Sequence, residues 1–181
     1  MVTRFAGRHL LAAKLRRANI DAAVDAVAEV DRIVDQIRAR RPRVAILLRA
    51  DSGFARDTLM GWCEANAFDY VFGLARNERL VGQIAEDLAA TAAESSAWVA
   101  LERRFADFFW TTLDSWSRQG RVVAKAEHLP QGANPRFVVN SLPAGAVDAR
   151  TMGNEANQSR SCWPSWWLLT CGRRTGRAAA P

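Results

Sequence analysis

Asp51 is the residue whose placement most directly suggests chemistry. In RVAILLRADSGFAR, Arg43 to Arg56, the run Val44, Ala45, Ile46, Leu47 and Leu48 has the apolar texture of a buried strand, and Ser52-Gly53 signals a turn directly after the carboxylate. The carboxyl end of a strand is where open α/β sheets gather ligands and catalytic groups. The same position also suits an aspartate that only holds a turn or caps a helix beginning near Phe54. Downstream, Arg76 and Asn77 close a second apolar run, and Arg103, Arg104, Trp110, Trp116, Arg118, Arg121, Lys125 and Arg136 interleave basic and aromatic side chains. Cations mixed with indoles suit phosphate contacts combined with base stacking or flipping. The alternative is that Phe105, Phe108, Phe109, Trp110 and Trp116 form a small core and the arginines a solvated face.

The elements that must position these groups follow from periodicity. RHLLAAKLRR reads as a strand, and the following ANID can cap a helix through Asp21. From Ala22 to Arg41, Val24, Val27, Val30, Ile33, Val34 and Ile37 recur at helical spacing, and Pro42 stops the helix. The VAILL strand comes next, then a helical pattern through Leu59, Met60, Trp62 and Cys63, then the β-rich run FDYVFGLA. Alternating strands and helices argue for parallel βαβ units, which would bring Asp51 and Arg76 to one sheet edge. Beyond Asn77 the pattern changes to one or two surface helices. RFADFFW and GRVVAKAEHL then have the texture of antiparallel strands joined at Gln119-Gly120, and NPRFVVNSLP reads as a further strand.

Composition limits the partners. The chain has 181 residues, of which 49% are hydrophobic and 24% charged, the balance of one globular domain able to bury a core. Its net charge of +6 comes chiefly from arginine, which makes nucleic acid a plausible partner, although an arginine-rich and alanine-rich chain also reflects a GC-rich gene. Cys63, Cys162 and Cys171 form no CxxC pair, and His9 and His128 lack metal-ligand spacing, which argues against a zinc site or a disulfide scaffold. Cys63 reads as a core residue. Without a secretory signal or a run near the roughly 20 apolar residues of a membrane span, the expectation is a cytoplasmic protein with no membrane partner.

The final stretch, GNEANQSRSCWPSWWLLTCGRRTGRAAAP, loses all periodicity and concentrates Trp, Cys, Arg and Gly. Such a composition is what a GC-rich gene yields out of frame, so a frameshift near Met152 is the favoured reading. A membrane-interface or partner-binding tail built on WPSWWLL is the competing one.

Taken together, LLRADSGF, WCEANAFDYVFGLARN, RRFADFFW, DSWSRQGRVVAKAEHL and NPRFVVNSLP resemble the central part of a bacterial insertion-sequence transposase of the DDE type, in the branch called transposase DDE domain group one, from about Gly7 to Thr151. The resemblance implies a ribonuclease-H-like mixed sheet in which two aspartates and a glutamate hold two Mg²⁺ ions for phosphodiester cleavage and strand transfer. Asp51 corresponds to the second aspartate and would be the metal ligand. The first aspartate would lie upstream of this chain, and Glu155 lacks the neighbours expected of the glutamate. The expectation is therefore a partial α/β ribonuclease-H-like fold with four parts: residues 1–77 as the partial core, 78–132 as an insertion with helices and antiparallel strands, 133–152 as a return strand and linker, and 153–181 as a disordered tail. Such a fragment would be inactive alone. Its partners would be DNA at transposon ends, contacted through Arg76, Asn77, Arg103, Arg104, Trp116, Arg118, Arg121, Lys125 and Arg136, and a second copy or an intact transposase. A non-catalytic DNA-binding protein able to interfere with an intact transposase is the rival expectation.

Overall fold

The computed structural model describes residues 2–5, 9–13, 23–97, 102–145, 147–158 and 167–172. In chain order the elements are β1 (Val2–Phe5), β2 (His9–Ala13), α1 (Ala26–Arg40), β3 (Ala45–Ala50), α2 (Asp57–Ala65), β4 (Asp69–Leu74), α3 (Glu78–Gln83) and α4 (Ala85–Ala97). They continue with β5 (Arg103–Trp110), β6 (Gly120–Leu129), β7 (Gly132–Ala133), β8 (Arg136–Asn140), α5 (Ala149–Gln158) and β9 (Trp167–Gly172).

The amphipathic pattern yields α1 as expected, although the helix starts later than Ala22. Ala26, Val30, Ile33 and Val34, spaced three and four apart, are buried. Arg38 and Arg40 in its last turn complement the negative end of the helix dipole. Asp25 precedes the helix in left-handed backbone and makes no side-chain cap, while Asp21 lies outside the described residues.

The strands form one nine-stranded sheet in the order β2-β1-β9-β3-β4-β8-β6-β5, with β7 pairing to β6 off that path. β3 and β4 are parallel, with Leu47 opposite Asp69 and Ala50 opposite Phe72, and β1 and β9 are also parallel. The remaining pairs are antiparallel.

Three expectations need correction. The strand at His9–Ala13 is not the first strand of a βαβ unit beside β3; it folds back on β1 as an antiparallel partner, and β9 separates β1 from β3. The expected tight turn at Gln119-Gly120 is a longer connection, because β5 stops at Trp110 and β6 starts at Gly120. The tail expected to be disordered carries regular structure in part: α5 continues through Gln158, and Trp167–Gly172 supplies β9, which pairs with β1 and β3. The strands of the expected insertion extend the sheet itself, since β5 and β6 join β4 through β8.

Side chains alternate across the central strands, and both faces there are covered. One face carries Ile46, Leu48, Ala50, Tyr70, Phe72, Phe137, Val139, Val122, Ala124 and Ala126, packed in one core with residues of α1, α2 and α3. On the opposite face Val71, Val123 and Val138 meet Met152 of α5. Cys63 belongs to the larger core, and burial pushes its thiol up to about 12, so it is inert packing at neutral pH. Among the described residues, no helix is long and apolar enough to cross a membrane.

Candidate active site

Parallel pairing brings the carboxyl ends of β3 and β4 to one edge, and Asp51 is the first residue past β3. Its backbone stays extended, with φ −77° and ψ −176°, so it continues the alternation of Leu47 and Arg49 on the face that α5 covers. Asp51 Oδ1 accepts the Gly53 backbone N–H at 2.9 Å and the Asp51 carbonyl accepts from Phe54 N–H at 3.2 Å, closing one 3₁₀ turn over Ser52–Phe54. Phe54 anchors that turn in the core. The turn-holding role is thus real, and it fixes a half-buried carboxylate whose Oδ2 takes no hydrogen bond from the described residues.

Gly73 on β4 makes this arrangement possible. A Cβ there would stand 3.2 Å from Ser52 N and 3.5 Å from the Asp51 carbonyl carbon, both backbone atoms that cannot swing aside. Gly73 was not singled out from the sequence. A glycine inside a strand pattern, in DYVFGL, was the signal for a close backbone approach.

The basic candidates separate into two groups. Arg76 and Asn77 emerge beyond β4 at the same edge as Asp51, as parallel pairing requires, and both are exposed. Arg76 pairs with no carboxylate among the described residues, whereas the Asn77 side-chain oxygen caps α3 by accepting Leu80 N–H at 2.9 Å. Next to it, the Arg79 guanidinium lies 4.6 Å from the centre of the Trp110 ring. Arg103 binds Glu127, Arg104 binds Glu94 and Asp87, and Arg118 binds Glu64, each of these arginines keeping about half its side chain in solvent (41%, 45% and 51%). Arg136 lies opposite Lys125 on β8 and is partly buried.

Trp116, Arg121 and Lys125, expected on a DNA-facing surface, are buried and point inward. Trp116 is in the larger core and its indole N–H donates to the Ala55 carbonyl at 3.4 Å, while neighbouring Ser117 donates to Asp57 at 3.0 Å through both N–H and hydroxyl. Arg121 is bound to Asp107 and to the carbonyls of Leu142 and Val147 in the segment that follows β8. Lys125, 1% exposed, donates to Glu127 Oε2 at 2.8 Å.

Glu127 is the centre of that second cluster. Arg103 Nε reaches its Oε1 at 2.8 Å and Asn134 Nδ2 its Oε2 at 3.0 Å. Burial pushes the Glu127 carboxyl up, but the hydrogen bonds from Lys125 and Arg103, the Lys125 charge and Asn134 outweigh it, and the carboxyl titrates below its ordinary 4.5. Burial likewise lowers the Lys125 ammonium, opposed by Glu127. Lys125 and Glu127 are two apart on one strand and must share a face, which was the sequence signal for their pairing.

A pair of divalent ions needs several converging oxygens. Among the described residues, no three His, Cys, Asp or Glu side chains come together to hold a metal, so Asp51 with one oxygen committed does not supply that shell. The backbone of α5, which includes position 155, packs against β5, β6 and β8 on the face to which Asp51 belongs.

Two outcomes follow. Glu127→Gln leaves Lys125 and Arg103 without their counter-charge and is expected to cost about 3–5 kcal/mol in denaturant melts at pH 7. Because the folded carboxyl titrates below 4.5, its contribution is complete above 4.5 and is lost as pH falls further, so wild type and variant should converge in acid. Gly73→Val is expected to cost about 1–3 kcal/mol by the same melts, and to speed hydrogen exchange at the Gly53 amide, by displacing the Asp51 turn. Unchanged Gly53 exchange would count against the close-approach role of Gly73.

No curated protein matches the chain. A family model described as transposase DDE domain group 1 matches residues 2–161, a span that takes in Asp51, the whole of β3 to β8, and α5. The chain therefore belongs to the transposase DDE domain group 1 family.

Proposed function

We propose that this chain is part of the machinery that cleaves DNA and transfers strands at the ends of an insertion sequence, with Asp51 as a carboxylate of the cleavage centre. The observation that carries the reading is the placement of Asp51 at the carboxyl end of a central strand, held by a 3₁₀ turn against Gly73, in a chain of this family. A ribonuclease-H-like core is the fold this reading implies; the parallel β3–β4 pair extended by antiparallel β8, β6 and β5 is compatible with it.

Mg²⁺ is the proposed cofactor of the parent reaction, since the family typically uses a divalent metal. As the described residues do not complete its ligand shell, the chain alone is proposed to be inactive, and its role in the reaction to depend on further carboxylates. Arg76, Asn77, Arg103, Arg104, Arg118 and Arg136 are the proposed contacts to the phosphates of transposon-end DNA. A second copy or an intact transposase is the proposed protein partner, and the cytoplasm the proposed location.

Non-catalytic DNA binding is the second reading, favoured by the exposed Arg76 at the same sheet edge as Asp51 and by the net charge of +6. Nicking of end-containing DNA in Mg²⁺ or Mn²⁺, compared with Asp51→Asn, tests the proposed inactivity of the chain alone. Metal-dependent nicking lost in Asp51→Asn would show that the chain assembles a working centre and would overturn its proposed inactivity alone. Absent nicking, DNA affinity measured against salt tests the binding surface: Arg76→Ala should lower the log–log slope by about 1, and Asp51→Asn should leave it unchanged. A chain that neither nicks nor binds DNA would sink both readings.

A further inference from the structure

Arg121 is 7% exposed and stands on β6 on the face that α5 covers. Its planar group is fully engaged. Nε and Nη2 donate to the Asp107 carboxylate on β5 at 3.0 and 2.5 Å, and Nη1 donates to the Leu142 carbonyl at 2.8 Å and to Asn140 Oδ1 at 3.4 Å. Nη2 also donates to the Val147 carbonyl at 3.1 Å. Leu142 and Val147 lie near the two ends of the connection between β8 and α5. Carbonyls of an irregular segment packed on a sheet need donors, and a guanidinium can serve two of them while still holding a carboxylate.

The neighbouring contacts reinforce this arrangement. Asn140 Oδ1 accepts Leu142 N–H at 3.1 Å, and its Nδ2 donates to the Arg121 carbonyl at 3.3 Å. Asp148 then starts α5 by accepting the Thr151 N–H at 2.9 Å and the Thr151 hydroxyl at 2.8 Å. One turn on, Met152 is buried among Val71, Val123 and Val138. Gly153 allows the approach, since a Cβ there would stand 2.5 Å from the Phe105 ring.

We propose that Arg121 is a positioning residue: by fixing both ends of the β8–α5 connection, it sets where α5 lies on the sheet face to which Asp51 belongs. Its functional meaning rests on the reading of that face as the cleavage face, whereas the docking of α5 through Arg121 does not.

Amide hydrogen exchange on the full chain tests it, with Arg121→Lys and Arg121→Met beside wild type. Lysine keeps the charge and a bond to Asp107 but cannot reach both carbonyls, so exchange across 149–158 should rise about tenfold or more in both variants while β4 and β8 keep their protection. Should Arg121→Met fail to fold, Arg121→Lys decides. Gly153→Ala, which leaves Arg121 intact and pushes α5 off Phe105, should give the same local signature. Unchanged exchange in α5 would overturn the proposal, and so would a loosening spread evenly over the sheet, since Arg121 would then hold the sheet rather than place the helix. The readout is independent of cleavage, so a chain that fails to act on DNA would leave this result standing.

Discussion

β4 pairs in parallel with β3 through Leu47–Asp69 to Ala50–Phe72, and antiparallel with β8 through Val71–Asn140 to Leu74–Phe137. Both of its edges are therefore occupied, and the two halves of the sheet are joined through it. Phe72, fully buried, fills one face at this junction and Val71 the other, so neither face tolerates a polar substitute. The parallel half brings Asp51 and Arg76 to one edge, while the antiparallel half supplies the surface on which α5 rests.

That second surface is unusual in its polarity. Arg121, Lys125, Glu127 and Asn140 are all buried on it, beside only a small apolar cluster. Buried charges are tolerated when their donors and acceptors are matched, and here they are matched in two local groups, one around Glu127 and one around the Arg121 guanidinium. Such groups stabilise less than an apolar core of the same volume would, but they are selective in direction. Each accepts only one arrangement of the loop or strand it binds.

The strongly periodic parts were legible in the sequence: α1 from its Val and Ile spacing, β3 from its apolar run, and the parallel alignment of β3 and β4 from the helix between them. The inward turn of Arg121 and Lys125 was not, although their strand was recognised. In GRVVAKAEHL the alternation of Val122, Ala124 and Ala126 identifies one buried face, and the charged residues between them read as solvent-facing because nothing local announces that α5 covers them. Asp51 was placed correctly at a strand end, and its turn bond to Gly53 was among the alternatives. Gly73, its steric counterpart, is separated from it by α2 and could be recognised only once the two strands were side by side. β9 was missed because WLLTCG sits in a stretch of anomalous composition and finds partners far away in the chain, at β1 and β3.

The position of β9 also governs how the chain can assemble during synthesis. Of the described strands it emerges last, yet it lies between β1 and β3, near the opposite end of the chain. Until Gly172 has left the ribosome, none of the other described strands takes the place of β9 beside β1 or β3, while β4, β8, β6 and β5 are already available on the other side of β3. Closing that gap requires contacts of long sequence separation, which form slowly. Between the synthesis of β3 and that of β9 the nascent chain thus carries an open strand edge at β3, the feature through which a half-made sheet most readily pairs with a neighbour instead of with itself.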